Sequence, residues 1–180
     1  MIAECMILLA SFSTPSVESP QYLDEYIHCA SHIPNNMMEY IPYYVEHYDK
    51  DNLYTALRIG WCESRGKSNA YRKDNGDSGV MQFVSWTWNW VAEKHNMPIW
   101  DTEVLTYGGI PIDYLEDQDF YVTELFDFQK VQFVPYYNIM MSSLLAEDTY
   151  SKTRWKDWNS SKWCWEDAKS WEKKWRKEEF

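Results

Sequence analysis

The sequence predicts one domain of the α+β class, predominantly α-helical, with a short β-hairpin. Three observations carry this. The chain has 180 residues, 45% of them hydrophobic, enough for one real core and too few for two comfortable ones. Apolar residues recur at helical spacing over 49–63 and again over 165–177, the signature of amphipathic helices. Between the first helix and the next apolar run lies "SRGKSNAYRKDNGDSG", residues 64–79. Its Asn75-Gly76 step is a hairpin-turn signal.

Taken in order, residues 1–20 read as a leader. An apolar run over 6–12 followed by small polar residues outlines an export signal. It lacks a basic start, however, and Glu4 interrupts it. A frayed leader or a strand is the other reading. Residues 21–48 form an N-terminal helical extension. There Tyr22, Tyr26 and Cys29 keep helical spacing while Pro34 and Pro42 break it, so two short helices are expected. The clearest helix starts near Asp49 or Asp51, either of which can cap it, and runs through "NLYTALRIGWCE". Leu53, Ala56, Leu57 and Gly60 share one face of it.

After the hairpin, "VMQFVSWTWNWVAEKH" resumes as helix, with Ser85 suited to cap it. Residues 97–119 read as a long loop broken by Pro and Gly. Helices are expected over 117–134 and 136–148, and 150–165 as loop. The domain proper spans 49–165. Residues 166–180 are a Trp-rich helical tail, which continues a face marked by Trp165, Ala168, Trp171 and Trp175. The sequence shows no internal repeat and no low-complexity segment.

Composition narrows the function. The formal net charge is −11. Phosphate backbones need a basic footprint, so nucleic acid is not an expected partner. Anionic membrane surfaces are disfavoured for the same reason. No stretch reaches the roughly 18 apolar residues that span a bilayer. Aromatic residues make up 18%, with 11 Trp and 14 Tyr. Flat faces with polar edges suit a packed core, and they also suit a cleft for sugars. The four cysteines contain no CxxC pair, which argues against zinc-ribbon and thioredoxin-type sites. His28, Cys29 and His32 could meet a metal on one helix face, but no second ligand cluster supports them. No metal and no cofactor are expected, and the chain is expected to be a monomer.

The candidate catalytic group is Glu63. It sits on the border of the apolar stripe and near a helix C-terminus, where the dipole disfavours negative charge. Both effects raise a carboxyl pKa. A solvated helix-end glutamate would need no function, and the helix alone does not decide between the two.

The surrounding motif adds a resemblance. Glu63-Ser64 is followed by Asn69-Ala70, by Gly76, and by "GVMQF" (79–83) running into "SWTW". Farther on, "PYYNIMMSSLLAED" (135–148) leads into a Trp-rich segment that ends in Cys164. These features resemble the lysozyme-like superfamily, in particular the soluble lytic transglycosylase domain and the resuscitation-promoting-factor domain. The resemblance covers about 49–165. It departs from the pattern at Asp77, where the transglycosylases usually carry alanine. It also departs in the absence of a clear "AYN.G" segment and in an acidic insertion over 99–119.

The resemblance implies a lysozyme-like domain, with the hairpin beside the active-site helix. It implies Glu63 as the catalytic acid and base, and a disulfide between Cys62 and Cys164. Gln82 would hydrogen-bond the sugar or its N-acetyl group, since an amide both donates and accepts. Ser64 would support the substrate or Glu63. Tyr71 and Trp86 are candidate cleft walls, as is Trp88, each able to serve equally as core; Met81 completes the substrate-side set. Asp74 or Asp77 could orient a water and give hydrolysis with inversion, or either could be an ordinary turn residue, the better reading for Asp74. In the transglycosylases the sugar's own C6 hydroxyl attacks and no second carboxylate is needed. The expected function is cleavage of the bond between N-acetylmuramic acid and N-acetylglucosamine in peptidoglycan glycan strands, outside the cytoplasm. The alternative is an inactive sugar-binding or virion structural protein of the same shape.

Overall fold

A computed structural model of the chain describes residues 2–11, 20–72, 76–96, 106–107, 110–111, 132–148 and 154–178. Helix α1 (Ile2–Ser11) and helix α2 (Pro20–Ala30) are joined by a Cys5–Cys29 disulfide. Cys5, Met6 and Leu9 lie on one face of α1 and are buried. That face packs on α3 and α4, introduced below. So residues 2–11, read from sequence as part of a leader, are neither strand nor frayed chain. They form a helix whose buried side is Cys5, Met6 and Leu9, while Ile7 in the same apolar run is exposed. Cys29 is committed to the disulfide, so the His28, Cys29 and His32 set has no thiolate to offer a metal.

A 3₁₀ helix (Asn35–Tyr40) and helix α3 (Ile41–His47) follow. The two prolines mark starts. Pro34 precedes the 3₁₀ helix and Pro42 sits in the first turn of α3, where a missing N–H costs nothing. Helix α4 (Lys50–Ser64) is the centre of the molecule. Asp49 caps it by accepting from the backbone N–H groups of Asp51 and Asn52, both at 3.0 Å. Its first turns present one apolar stripe, but from Ala56 to Trp61 every residue is buried. Even Arg58 is covered; its guanidinium lies over the Tyr54 ring and donates to the carbonyl of Glu166 at 3.3 Å.

Strands β1 (Tyr71–Arg72) and β2 (Asp77–Ser78) pair antiparallel, Tyr71 with Ser78 and Arg72 with Asp77. This is the expected hairpin, and Gly76 turns it at φ +76°. The next segment differs from expectation. Residues 79–84 are not helical. Gly79 and Gln82 take positive φ, and the chain doubles back so that Phe83 bridges Ser78. Helix α5 (Ser85–Lys94) therefore starts later, with Val84 at the cap position and Ser85 as its first helical residue.

Within 97–119, strands β3 (Thr106–Tyr107) and β4 (Ile110–Pro111) form a second antiparallel pair in place of an unbroken loop. The helix expected over 117–134 lies almost wholly outside the described residues. Helix α6 (Pro135–Glu147) matches the next expectation. Residues 156–165, expected as loop, are a 3₁₀ helix (Lys156–Ser161) and a short helix α7 (Lys162–Trp165), anchored by buried Trp158, Cys164 and Trp165. Helix α8 (Ala168–Glu178) closes the chain's described part.

The described residues are thus mostly helical with small two-stranded sheets. The core is continuous from α1 to α8. The tail belongs to it: Trp171 meets the rings of Trp61 and Tyr54 edge-on at 5.9 and 5.7 Å. No described helix is long and apolar enough to cross a membrane.

Cys62 and Cys164, separated by 102 residues, are bonded and tie α4 to α7. Closing so long a loop removes unfolded-state entropy worth about 4 kcal/mol. Replacing both cysteines by serine should lower the unfolding free energy by about that amount. Urea denaturation of the two proteins checks it.

Candidate active site

Glu63 lies in the last turn of α4, and four independent restraints fix that turn. Arg65 ends the helix in the left-handed conformation, φ 57°, and Gly66 continues at φ 68°. Asn36 Nδ2 donates to the carbonyl of Arg65, and the Tyr40 hydroxyl to that of Gly66 at 3.2 Å. These bonds satisfy carbonyls that a helix end would otherwise leave open. The Arg65 guanidinium stacks 4.3 Å from the Trp61 ring centroid and pairs with Glu178 at 3.0 Å. The Cys62–Cys164 bond is adjacent to Glu63 itself.

The Glu63 carboxyl is partly buried, and Oε1 accepts a hydrogen bond from the Ser161 hydroxyl. Burial, the largest influence, pushes this carboxyl above the usual glutamate range. The bond from Ser161 pulls the other way. The charge of Asp77 pushes it up further, and the guanidinium groups of Arg72 and Arg65 pull it down, without cancelling the rise. The sequence reading had the direction right. Burial supplies most of the effect, and a neighbouring carboxylate contributes that helix geometry alone could not reveal.

Asp77 is 8% exposed and pairs across the hairpin with Arg72 at 3.4 Å. The hairpin thus carries two charges of opposite sign toward Glu63. Its position is set by a polar network behind it. The fully buried Asn138 of α6 accepts from the Met81 N–H at 2.7 Å through Oδ1. It donates through Nδ2 to the carbonyls of Gln132 at 2.7 Å and Ser78 at 3.2 Å. The Trp158 indole donates to the Met81 carbonyl at 3.0 Å. Both backbone groups of Met81 are thereby paired with side chains. Gly79 leaves the room: a Cβ there would strike the Gln132 carbonyl and the Asn138 amide, and the backbone sits at φ +78°.

The other residues singled out from sequence fall in different places. Ser64 is buried and its hydroxyl donates back along α4 to the Gly60 carbonyl at 3.0 Å. Gln82 spends its amide nitrogen on the carbonyls of Gly79 and Ala70, at 2.9 and 3.1 Å, and so latches the hairpin. The Met81 side chain is fully buried beneath the Tyr44 hydroxyl, which donates to its sulfur at 3.3 Å. Trp88 is fully buried against Phe83. Neither Met81 nor Trp88 faces solvent, so neither is a wall of an open cleft. Tyr71 is 54% exposed, beside Phe133, and Trp86 is 72% exposed. Asp74 lies outside the described residues.

Trp86 opens onto a groove of about 440 Å³. Thr87 and Trp90 of α5, Leu145 of α6, and Lys156 and Asp157 of the second 3₁₀ helix line it with Trp86. Burial pushes the Asp157 carboxyl upward. Glu63 is not among the lining residues. No group of three or more His, Cys, Asp or Glu among the described residues is placed to hold a metal ion.

Ser161, Asn138, Trp158 and Trp165 lie in or directly beside the two C-terminal stretches that carry the resemblance, but sequence reasoning gave none of them a role at the site. Asn138 carried a usable signal: one amide inside an otherwise apolar helix must be paired. Ser161 stood in the three-residue spacing Trp155, Trp158, Ser161, Cys164 of the Trp-rich segment, but that spacing did not point to Glu63.

Two outcomes follow. Asn138→Ala strands the Met81 N–H and two carbonyls in the core, and should cost about 3 kcal/mol or more of stability by urea titration. Folding raises the Glu63 pKa, so the folded chain holds this proton more tightly than the unfolded chain. As pH rises from the ordinary glutamate value through the raised folded one, ionising Glu63 weakens the fold. Glu63→Gln should therefore be more stable than the parent above that window, with the difference shrinking toward acid. Melting temperatures across pH check the sign.

Comparison with protein-family models, with curated proteins and with solved structures finds no match for this chain.

Proposed function

We propose that this chain is a lysozyme-like glycosidase. Its substrate is the β-1,4 bond between N-acetylmuramic acid and N-acetylglucosamine in peptidoglycan, and Glu63 acts as its single general acid and base. The observation that carries the reading is the setting of Glu63: a partly buried carboxyl, held by Ser161 and facing the Asp77–Arg72 hairpin, whose proton is retained above the usual range.

That setting suits the chemistry. A neutral carboxylic acid gives its proton to the leaving glycosidic oxygen as the C1–O bond breaks. The resulting carboxylate then takes a proton from the nucleophile. With water as nucleophile the product has a reducing end. With the muramic C6 hydroxyl the product is a 1,6-anhydro sugar and no water is consumed. The acidic chain suits a glycan better than a polyanion. Two disulfides suit an oxidising compartment, in keeping with an extracellular or wall-side location. The reading needs no cofactor and no partner subunit.

One observation favours a second reading. The open Trp86 lies on a groove that does not include Glu63. A non-catalytic sugar-binding or virion structural protein would use such a groove and leave Glu63 idle.

Purified cell walls separate the two. Wild type should clear a wall suspension, and Glu63→Gln should reduce clearing at least about 100-fold while still sedimenting with walls. Equal clearing by both proteins contradicts the role of Glu63. Binding by wild type without clearing favours the second reading, and then Trp86→Ala should abolish sedimentation.

A further inference from the structure

Glu63 has a partner that the sequence did not suggest, and that partner is built for more than one protonation state. The Ser161 hydroxyl has one proton and two lone pairs. Three groups surround it. The Trp165 indole Nε1 stands at 3.0 Å, the Trp158 carbonyl at 3.1 Å, and Glu63 Oε1 closer still. An indole N–H only donates, and that of Trp165 is shared between a lone pair of Ser161 and the Trp158 carbonyl, at 3.0 and 3.1 Å. One proton and one lone pair remain, shared between Glu63 and the Trp158 carbonyl.

We propose that Ser161 is a positioning residue for the reaction assigned to Glu63: it holds Oε1 in place and reserves Oε2 for the glycosidic oxygen. This rests on the reading above. When Glu63 is ionised, Ser161 donates to Oε1. When Glu63 carries its proton on Oε2, toward substrate, Oε1 is still an acceptor and Ser161 still donates to it. When the proton rests on Oε1, the carboxyl donates to the free lone pair of Ser161, and the Ser161 proton swings to the Trp158 carbonyl. Each state keeps Oε1 bonded to Ser161, and when Ser161 donates to Glu63 the Trp158 carbonyl keeps the Trp165 indole at 3.1 Å, so Glu63 can alternate between acid and base without losing its orientation.

Placement supports the arrangement. Ser161 ends the 3₁₀ helix whose Trp158 holds the Met81 carbonyl, and it precedes α7, whose Cys164 is bonded to Cys62. The serine and the glutamate are therefore carried on two segments that cannot separate while the disulfide is intact. The charged groups facing Glu63 are Arg65 at the end of α4 and Arg72 and Asp77 on the hairpin. None of them is altered in the variants below, so a change in Glu63 titration reports the hydroxyl.

The test is a carbon-13 NMR titration of the Glu63 side-chain carboxyl, run beside the pH profile of kcat/KM on purified walls. A hydrogen bond donated to a carboxylate favours the ionised form. Ser161→Ala should move the Glu63 midpoint up by about one pH unit. The alkaline limb of kcat/KM should move with it and kcat should fall. Ser161→Thr, which keeps a hydroxyl, should return both toward wild type. Trp165→Phe, which keeps the Ser161 hydroxyl but removes the indole donor from it and from the Trp158 carbonyl, frees that carbonyl to compete for the Ser161 proton and should shift the midpoint the same way by less. An unchanged midpoint in Ser161→Ala and Trp165→Phe overturns the proposal. A shifted midpoint in a protein whose wild type never cleaves walls upholds the hydrogen-bond arrangement and overturns the glycosidase reading instead.

Discussion

Cys62 stands one residue before Glu63, and Cys164 stands three residues after Ser161. The bond between them joins two parts of the chain that are 102 residues apart in sequence. A hydrogen bond from a hydroxyl to a carboxylate has useful direction only when both ends are held to within tenths of an ångström. Side-chain packing alone allows more play than that at the edge of a domain. Here the covalent link sits close in sequence to both ends, and Trp158 and Trp165, on the Ser161 side, are buried and joined by an indole bond from Trp165 to the Trp158 carbonyl at 3.1 Å. The same bond holds α8 close to α4, since α8 follows α7 directly and packs against it.

A second constraint acts on the facing side. In residues 79–83 the chain turns twice through positive φ; Gly79, Gln82 and Phe83 make backbone hydrogen bonds, while both backbone groups of Met81 are paired with side chains. Buried N–H and C=O groups in such a turn must find side chains. Asn138 and Trp158 supply them, one from α6 and one from the second 3₁₀ helix. The hairpin, with Asp77 and Arg72 at its pairing positions, is thereby referred to the same C-terminal segments that hold Ser161. Acid, neighbouring charges and hydrogen-bond donor share one rigid frame.

Much of the frame was legible before any coordinates. The stripe Leu53, Ala56, Leu57, Gly60 and the cap at Asp49 located α4 because both follow from local geometry. Asn75-Gly76 located the hairpin for the same reason, although residues 73–75 themselves lie outside the described residues. The segment 80–84 misled because an apolar run looks the same in a buried turn as in a helix; the positive φ at Gln82 leaves no mark on composition. Met81, expected on the substrate side, is buried, and Trp88, read equally as cleft wall or core, is core. The Cys5–Cys29 bond was not read, although the implied Cys62–Cys164 bond left only these two thiols, because Cys5 falls in the leader and Cys29 reads as a buried or surface thiol. Ser161 became visible only when 98 residues of intervening chain had been folded.

The account depends on Glu63 delivering a proton to a glycosidic oxygen. Mass spectrometry of the soluble fragments from purified peptidoglycan tests this most directly. The account predicts fragments cut between N-acetylmuramic acid and N-acetylglucosamine, with masses that mark either an added water or a 1,6-anhydro end, and none when Glu63 is glutamine. Fragments cut only at peptide bonds, or no fragments from a protein that binds the walls, would contradict it.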